Sequence, residues 1–289
     1  MAAFIASLLT LSATRTALVI GSLVAATSGA VGVFVVLRGQ SFSGHALGDI
    51  GTTGAAAAYL GGISPLYGFI GVGVLGGLGI ESLGERARER DVATGIVLSL
   101  LLGIGALLLY FMTQQPNPGS GPVAILFGSI FTVDPGVTGP IALFSLLVML
   151  LLAALYRPLV FTTVNPQVAR AAGVPATVVS LLFMLAIAVA VEESALVAGA
   201  LLSTALLIGP ASAAVRWTRH VGEAVALSVL LGLLAVVLGV ALAYQSYAWP
   251  PLDRGWPVSF FIVMIVLLEY LFSRIFRGSR QEAATRRVP

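Results

Sequence analysis

Residues 224–244 read AVALSVLLGLLAVVLGVALAY, an apolar run without a charged side chain. A helix of this length crosses the roughly 30 Å hydrocarbon core of a bilayer, because each helical residue rises about 1.5 Å. Similar runs recur along the 289-residue chain, which is 58% hydrophobic and only 9% charged. A transmembrane barrel would instead show shorter segments of alternating polarity. The sequence therefore predicts an all-α polytopic transmembrane helical bundle that forms one domain over residues 1–289.

Nine membrane spans are predicted, and an eight-span arrangement stays open if residues 176–210 enter and leave the membrane differently. The predicted spans are residues 17–37, 44–62, 64–84, 92–113, 137–156, 176–191, 195–210, 222–245 and 257–275. Basic residues concentrate in short cytoplasmic loops. All 15 basic residues are arginines, and every one except Arg15 and Arg254 faces the cytoplasm if the N-terminus is outside and the C-terminus inside.

Segments outside the spans also carry predictions. Residues 1–13 are interpreted as a short interfacial helix, and residues 276–289 as a basic cytoplasmic tail. The outer loop contains VAILFGSIF, residues 123–131, which is expected to form a short re-entrant helix. Glu81 and Glu85 precede the arginine-rich stretch RARER and are expected to form ion pairs with it.

Residue types that are absent exclude several kinds of site. The chain has no lysine, so it cannot form a nucleotide-binding P-loop, and it has no cysteine, so disulfides and thiolate metal sites are excluded. No nucleophile and base pair is visible, and the arginines are spread over several loops rather than forming a nucleic-acid patch. The sequence therefore predicts a membrane protein that is not an enzyme and does not bind nucleic acid.

Small residues are arranged for close helix packing. Glycines let helix backbones approach each other in lipid. The predicted small-residue faces comprise Gly44, Gly48, Gly51 and Ala55 in the second span and Gly73 and Gly77 in the third. We expect both faces to pack against other helices.

Two ionisable residues lie within the second predicted span, in SFSGHALGDIGTTGA, residues 41–55. His45 and Asp49 are four residues apart, so they project from one helix face, which Thr52 and Thr53 continue. Ionisable groups inside a span are costly and usually line a bundle interior or an aqueous route. Imidazole and carboxylate ligands suit Zn²⁺ or Mn²⁺ better than Cu(I).

The alternative is that His45 and Asp49 bond each other and only steady the helix. One such pair supplies too few ligands for a closed tetrahedral zinc site, which takes four. Two copies of the chain related by a dimer axis would supply four. The metal interpretation therefore requires two copies of the pair to meet at a dimer axis, whereas the structural interpretation does not.

A second group of carboxylates is predicted on the outer side. Glu192 and Glu193 are placed in the turn between the sixth and seventh spans, with Asp134 and Asp253 in outer loops. Carboxylates around a pore mouth raise the local cation concentration. The competing interpretation is that these are ordinary solvated loop residues.

The connection between the fifth and sixth predicted spans contains a short helix. In TTVNPQVARAAGVPAT, residues 162–177, Asn165 is placed as the N-cap and Pro166 at the first helical position. Gly173 followed by Pro175 is a helix stop signal. The sequence predicts a helix of about two turns on the cytoplasmic face.

Several stretches, in order and well spaced, resemble the zinc/manganese (metal-type) ABC transporter permease family. They are GVFVVLRGQSFSGHALGDIGTTGAA (32–56), ERDVATGIVLSLLLGIGALLL (89–109), ILFGSIFTVDP (125–135), NPQVARAAGVP (165–175) and VAGALLSTALLIGPASAA (197–214). Where the family pattern has Asp followed four residues later by His, this chain has His45 and then Asp49. The two ligand types are kept and their order is exchanged.

The resemblance implies a permease subunit of a bacterial importer in the cytoplasmic membrane. Such a permease dimerises with a second copy of itself, binds two cytoplasmic ATPase subunits and receives its ion from an extracytoplasmic metal-binding protein. The transported ion is a divalent transition metal, zinc or manganese, and ATP is bound by the partner subunit only, so no cofactor is held permanently. Asn165, Pro166, Arg170 and Gly173 then belong to the coupling helix that enters a cleft on the ATPase.

Two other functions remain open from the sequence. The first is an importer of a metal chelate or another small solute on the same framework, in which His45 and Asp49 pair structurally. The second is a secondary carrier driven by protons or sodium ions, which would need no ATPase.

Overall fold

The computed structural model describes residues 12–84, 87–115, 121–128, 130–249 and 255–285. These ranges contain eleven α-helices and no strand: α1 Ser12–Leu37, α2 Ser41–Leu60, α3 Pro65–Leu83, α4 Ala87–Thr113, α5 Gly121–Phe127, α6 Thr138–Val164, α7 Pro166–Ala171, α8 Ala176–Ala198, α9 Ser203–Trp217, α10 Val221–Ser246 and α11 Val258–Thr285. The predicted all-helical class is confirmed. Predictions for residues 1–11, Glu85, Asp253, Arg254 and residues 286–289 lie outside the described residues.

Seven of the described helices are long and apolar enough to cross a membrane. The two remaining long helices are α2, which carries His45 and Asp49, and α9, which has only 15 residues. α5 and α7 are single short helices of 7 and 6 residues. The chain is therefore a multi-pass membrane protein.

The predicted boundary between the sixth and seventh spans is wrong. The prediction ended a span at residue 191 and began another at 195, whereas α8 continues without interruption to Ala198. Its sequence there, VEESALVA, contains no helix breaker, and the helix ends only at Gly199, whose φ of 86° is readily adopted by glycine. A 3₁₀ turn at Ala200–Leu202 then leads into α9.

The outer-loop segment VAILFGSIF contains a short helix, as predicted. α5 ends at Phe127 because Gly128 takes a φ of 73°, and a 3₁₀ turn follows at Ile130–Thr132. Asp134 then accepts a hydrogen bond from the backbone N–H of Gly136 at 2.8 Å and starts the turn that leads into α6. These short elements lie against the ends of α2 and α8.

α8 lies at the centre of the bundle and is buried along much of its length. Its Phe183 meets the ring of Phe34 from α1 edge to face at a centroid distance of 6.1 Å, and Phe34 meets Tyr156 of α6 in the same way. Such edge-to-face pairs add to the dispersion energy of the core. α1, α6 and α8 are thereby packed together at one end of the bundle.

α2 and α3 approach each other backbone to backbone at a pair of glycines. A Cβ atom added at Gly54 would overlap the carbonyl group of Gly68, and one added at Gly68 would overlap the carbonyl group of Gly54. Only glycine at both positions permits this spacing. The expected packing of the small-residue face of the second span is confirmed, since Gly48 also lies against Val191 of α8 and Ser203 of α9.

Candidate functional site

His45 and Asp49 occupy one face of α2, one helical turn apart. The distance between His45 Nε2 and Asp49 Oδ2 is 3.8 Å. The imidazole is about half exposed, at 49%, whereas the Asp49 side chain is 18% exposed. The pair is therefore open on the His45 side of a single protomer and more enclosed on the Asp49 side.

The threonines that follow on α2 do not extend a free polar strip. Thr52 Oγ1 donates to the carbonyl oxygen of Asp49 at 2.6 Å, and Thr53 Oγ1 donates to the carbonyl oxygen of Leu101 on α4 at 2.5 Å. Both hydroxyl protons are thus used by backbone groups. The imidazole of His45 and the carboxylate of Asp49 are the ionisable side chains on this face of α2.

Glu192 and Glu193 are not in an outer turn, so that prediction is wrong. Both side chains are fully buried at 0% exposure within α8, and neither is a solvated loop residue. The charged pair resembled a loop because carboxylates are rare inside spans. Their side chains contact different helices.

Glu193 is held by α6. Ser145 Oγ lies 3.1 Å and 3.0 Å from the two carboxylate oxygens of Glu193 and donates its proton to that carboxylate. Ser145 is itself buried. Glu193 is therefore part of the contact between α6 and α8. No local pattern predicts this pairing, because the two residues are 48 positions apart.

Glu192 is directed to α2 and α3. Its carboxylate lies against Gly51 of α2 and Gly73 of α3. Neither of its oxygens has a hydrogen-bond partner among the described residues. Glu192 is thus a buried acid packed against the small-residue face of α2 that carries Gly51.

The described part of one protomer was compared with the ligand number that a closed metal site needs. Within the described ranges, no three His, Asp or Glu side chains are grouped closely enough to hold a metal ion. A closed site would therefore need ligands from outside the described part of one chain, and the role of His45 and Asp49 as metal ligands stays a prediction.

The short helix α7 forms as the sequence predicts. Asn165 Oδ1 accepts a hydrogen bond from the backbone N–H of Val168 at 3.1 Å, and Pro166 follows at the first helical position. The helix ends where Gly173 adopts a φ of 81°. Arg170 is exposed, as is Val168 at 51%, and Ala169 is the buried residue of the helix. α7 therefore presents most of its surface outward between α6 and α8.

An arginine beyond the end of α1 contacts both helices that flank α7. Arg38 Nη1 donates to Thr162 Oγ1 of α6 at 3.0 Å, and its guanidinium lies 5.5 Å from the ring centroid of Phe183 on α8. Burial lowers the pKa of Arg38, and the nearby charge of Arg90 acts in the same direction, whereas Glu81 raises it. No local sequence pattern predicts this contact, because Arg38 and Thr162 are 124 residues apart.

The expected ion pair near the arginine-rich stretch is present for Glu81. Arg90 at the start of α4 pairs with Glu81 at the end of α3 at 3.0 Å and also donates to Ser180 of α8 at 3.3 Å. The first turns of α2 and α4 are joined by Ser43 and Thr94, whose hydroxyl oxygens are 3.3 Å apart. The ends of α1 and α3 and the beginnings of α2, α4 and α8 therefore meet in one polar cluster with the last turn of α6.

Comparison with known proteins gives consistent matches over most of the chain. The model of the ABC 3 transport family matches residues 10–275. The manganese transport system membrane protein MntC of Halalkalibacterium halodurans is 30% identical over 241 residues, covering 82% of this chain and 80% of that protein. The manganese import system permease protein ScaB of Streptococcus parasanguinis is 28% identical over 232 residues, covering 80% of this chain and 81% of that protein.

A solved structure has the same fold. It is PsaBC from Streptococcus pneumoniae in complex with Fab, which superposes with a TM-score of 0.77 at 26% identity and covers 94% of both chains. The resemblance to metal-type ABC transporter permeases is confirmed: this chain belongs to the ABC 3 transport family.

Proposed function

We propose that this chain is the membrane permease subunit of an ATP-binding-cassette importer that moves a divalent transition metal ion, Mn²⁺ or Zn²⁺, through a route lined by His45 and Asp49. The observation that carries the proposal is this pair of metal-ligand side chains on α2, one helical turn apart, in a chain of this family. Relatives named as manganese permeases support the metal as cargo.

The half-exposed His45 supports a dimer around the route. An imidazole at the outer surface of a transmembrane bundle would contact lipid, which is unfavourable for a polar group. A second copy of the chain, related by a two-fold axis, covers this face and brings a second His45 and Asp49 to the same axis. Four side chains then replace part of the hydration shell of the ion, and the ligation stays weak enough for release.

The polar cluster at the end of α1 supports nine spans. α2 starts at this cluster beside Arg38, and α3 ends there at Glu81, so α2 must run to the opposite end of the bundle. At that opposite end, Tyr59 of α2, Pro65 of α3 and Leu196 of α8 line one cavity of about 240 Å³. α2 therefore crosses the bundle although its composition is less apolar than that of the other long helices.

The same reasoning applies to α9. α8 ends near Leu196 at the cavity end, whereas Gly222 at the start of α10 lies beside Tyr156, whose ring contacts Phe34 near the polar cluster. α9 must connect the two ends, and its 15 residues cover about 22 Å. We place the polar cluster and the C-terminus in the cytoplasm of a bacterial cell, and the N-terminus outside, because the arginines concentrate at that end.

The exposed helix α7 is the contact with the ATPase in this proposal. Its capped, rigid form suits insertion into a cleft of a cytoplasmic partner, with Val168 and Arg170 as exposed side chains. Two ATPase subunits bind the two copies of α7 and alone bind ATP. An extracytoplasmic metal-binding protein delivers the ion to the opposite face.

The test is metal uptake by the assembled complex in proteoliposomes. We expect His45→Ala and Asp49→Ala each to reduce ATP-dependent Mn²⁺ uptake by roughly tenfold or more. The matched control is His220→Ala, which removes the only other histidine of the chain. His220 is exposed, and its Nδ1 atom lies 3.1 Å from Glu223 Oε1. Undiminished uptake of both Mn²⁺ and Zn²⁺ by both α2 variants would rule out the proposed route.

A further inference from the structure

Arg90 joins three helices at the polar cluster. It lies in the first turn of α4, and its Nη2 atom is 3.0 Å from Glu81 Oε1 at the end of α3. The same nitrogen donates to Ser180 Oγ of α8 at 3.3 Å. The side chains of Arg90 and Glu81 are only 15% and 7% exposed, and Ser180 is buried as well. One guanidinium nitrogen therefore connects α4 to both α3 and α8.

Burial keeps Arg90 at this position. A charge pair attracts more strongly in the interior than in water, and an unpaired buried charge is costly, so Arg90 and Glu81 each require the other. A Cβ atom added at Gly84, which ends α3, would overlap the backbone of Arg90, so the two helices are also in backbone contact here. The position of Arg90 is thus fixed by α3, and its bond to Ser180 fixes α8 relative to both helices.

A second set of hydrogen bonds connects Arg90 to α2. Thr94 Oγ1 donates to the carbonyl oxygen of Arg90 at 2.7 Å. Because the Thr94 proton is used in this way, Ser43 is the donor across the 3.3 Å between the two hydroxyl oxygens. Both hydroxyls are buried. At a second level, Thr53 of α2 donates to the carbonyl oxygen of Leu101 of α4. The orientation of α2 therefore follows that of α4.

Ser43 holds α2 on the side away from His45. Successive helical residues are about 100° apart around the helix axis, so Ser43 and His45, two positions apart, lie on nearly opposite faces. The contact with α4 therefore leaves the face of His45 and Asp49 free. Any tilt of α2 and α4 against α8 changes the direction in which these two side chains point. Arg90 can thus act on the route without touching the ion.

We propose that Arg90 is a positioning residue of the ion route. Through Glu81 and Ser180 it sets the orientation of α2 relative to the central helix α8, and with it the placement of His45 and Asp49. This inference rests on the proposed function, because it uses the same route. Binding groups act well only when they are held within about 0.5 Å of the productive geometry. A small change in the angle of α2 is therefore enough to weaken ion binding.

The test measures ATP-dependent uptake as a function of Mn²⁺ concentration in proteoliposomes that contain the assembled complex. A misplaced route binds the ion more weakly and raises the KM for Mn²⁺, whereas a purely structural loss reduces the number of active complexes and lowers only the maximal rate. We expect Arg90→Gln to raise the KM by roughly tenfold. Ser180→Ala removes only the bond to α8 and leaves the ion pair, so we expect it to raise the KM by roughly threefold.

Two controls match these variants in chemistry. Arg157→Gln changes an exposed arginine of α6. Ser28→Ala removes a buried hydroxyl of α1 that donates to the carbonyl oxygen of Ala190 in α8 at 3.4 Å. Neither side chain connects α8 to α2 or α4, so we expect both controls to keep the KM within about twofold of the unmodified complex.

The outcomes separate this inference from the proposed function. If Arg90→Gln and Ser180→Ala keep the KM of the unmodified complex while His45→Ala and Asp49→Ala lose uptake, the positioning role is refuted and the route stands. If His45→Ala and Asp49→Ala leave uptake undiminished, both are refuted. The proposal requires the bond to α8, so an unchanged KM in Ser180→Ala overturns it whatever Arg90→Gln does. If Arg90→Gln does not assemble, a raised KM in Ser180→Ala supports the proposal by itself.

Discussion

Arg38 Nη1 donates a hydrogen bond at 3.0 Å to the Oγ1 atom of Thr162, which lies three positions before Asn165, the N-cap of α7. The same guanidinium packs on Phe183, so Arg38 is attached to both helices that hold α7. α2 begins at Ser41, immediately beyond Arg38, and carries His45 and Asp49. A displacement of α7 therefore has a short physical connection to the helix that lines the proposed route.

Arg38→Ala is expected to uncouple ATP hydrolysis from transport. Without the contact between Arg38 and Thr162, α7 keeps its connection to α6 and α8. The link from α6 to the segment just before α2 is lost. We expect the number of metal ions moved per ATP hydrolysed to fall by roughly threefold or more. Arg38→Lys keeps the charge but not the planar stacking on Phe183, so we expect an intermediate ratio.

The measurement is Mn²⁺ uptake and phosphate release in the same proteoliposomes. The control is Arg157→Ala, which removes an exposed arginine of α6. An unchanged ratio of transport to hydrolysis in Arg38→Ala would show that this contact does not carry the coupling.

Gly73→Ala and Gly51→Ala are expected to destabilise the protein because the added methyl group overlaps the Glu192 carboxylate. Overpacking of this kind costs about 1–3 kcal/mol. The control is Gly71→Ala on the same helix as Gly73, because no atom lies within 4 Å of the position of its added Cβ. Thermal unfolding of the purified complex should show a lower midpoint for Gly73→Ala than for Gly71→Ala, and equal midpoints would argue against the described position of Glu192.

Asn165→Ala is expected to loosen α7. Removal of an N-cap side chain costs about 0.5–2 kcal/mol of helix stability. Hydrogen exchange of the Val168 amide should become faster, and the affinity for the ATPase should fall. Asn165→Asp restores a capping oxygen and should restore protection, whereas Gln167→Ala, at an exposed position of the same helix, should leave the exchange of Val168 nearly unchanged. Equal exchange in Asn165→Ala and the unmodified chain would contradict the cap.

Ser145→Ala is expected to destabilise the contact between α6 and α8. The change leaves the buried Glu193 without its hydrogen-bond donor, which costs about 1–3 kcal/mol. Ser99→Ala is the control, because Ser99 is exposed and bonds only the carbonyl of Gly95 on its own helix. The two variants are compared by denaturation, and a loss of stability no greater in Ser145→Ala than in Ser99→Ala would show that the serine does not support Glu193.

The sequence predicts the parts of this structure that depend on neighbours along the chain. The apolar runs indicate the long helices because a helix in lipid satisfies its own backbone. The cap formed by Asn165 depends on residues within one helical turn, and it was predicted for that reason. The pairing of Glu81 with nearby arginines has the same local origin.

Contacts between distant parts of the chain were not predicted. Arg38 and Thr162 are 124 residues apart, and no local pattern connects them. The sequence favours a loop at Glu192 because charge normally marks the end of a span, whereas the structure places its buried carboxylate between two glycines. His45 and Asp49 were found from the sequence because their four-residue spacing is itself the geometry of the pair.

The crossing of Gly54 and Gly68 has a mechanical consequence. Because the two backbones touch at this point, we expect α2 and α3 to move together as one unit. Gly51 and Gly73 lie one on each helix of this unit, so the space that holds the Glu192 carboxylate is expected to keep its shape when the unit moves.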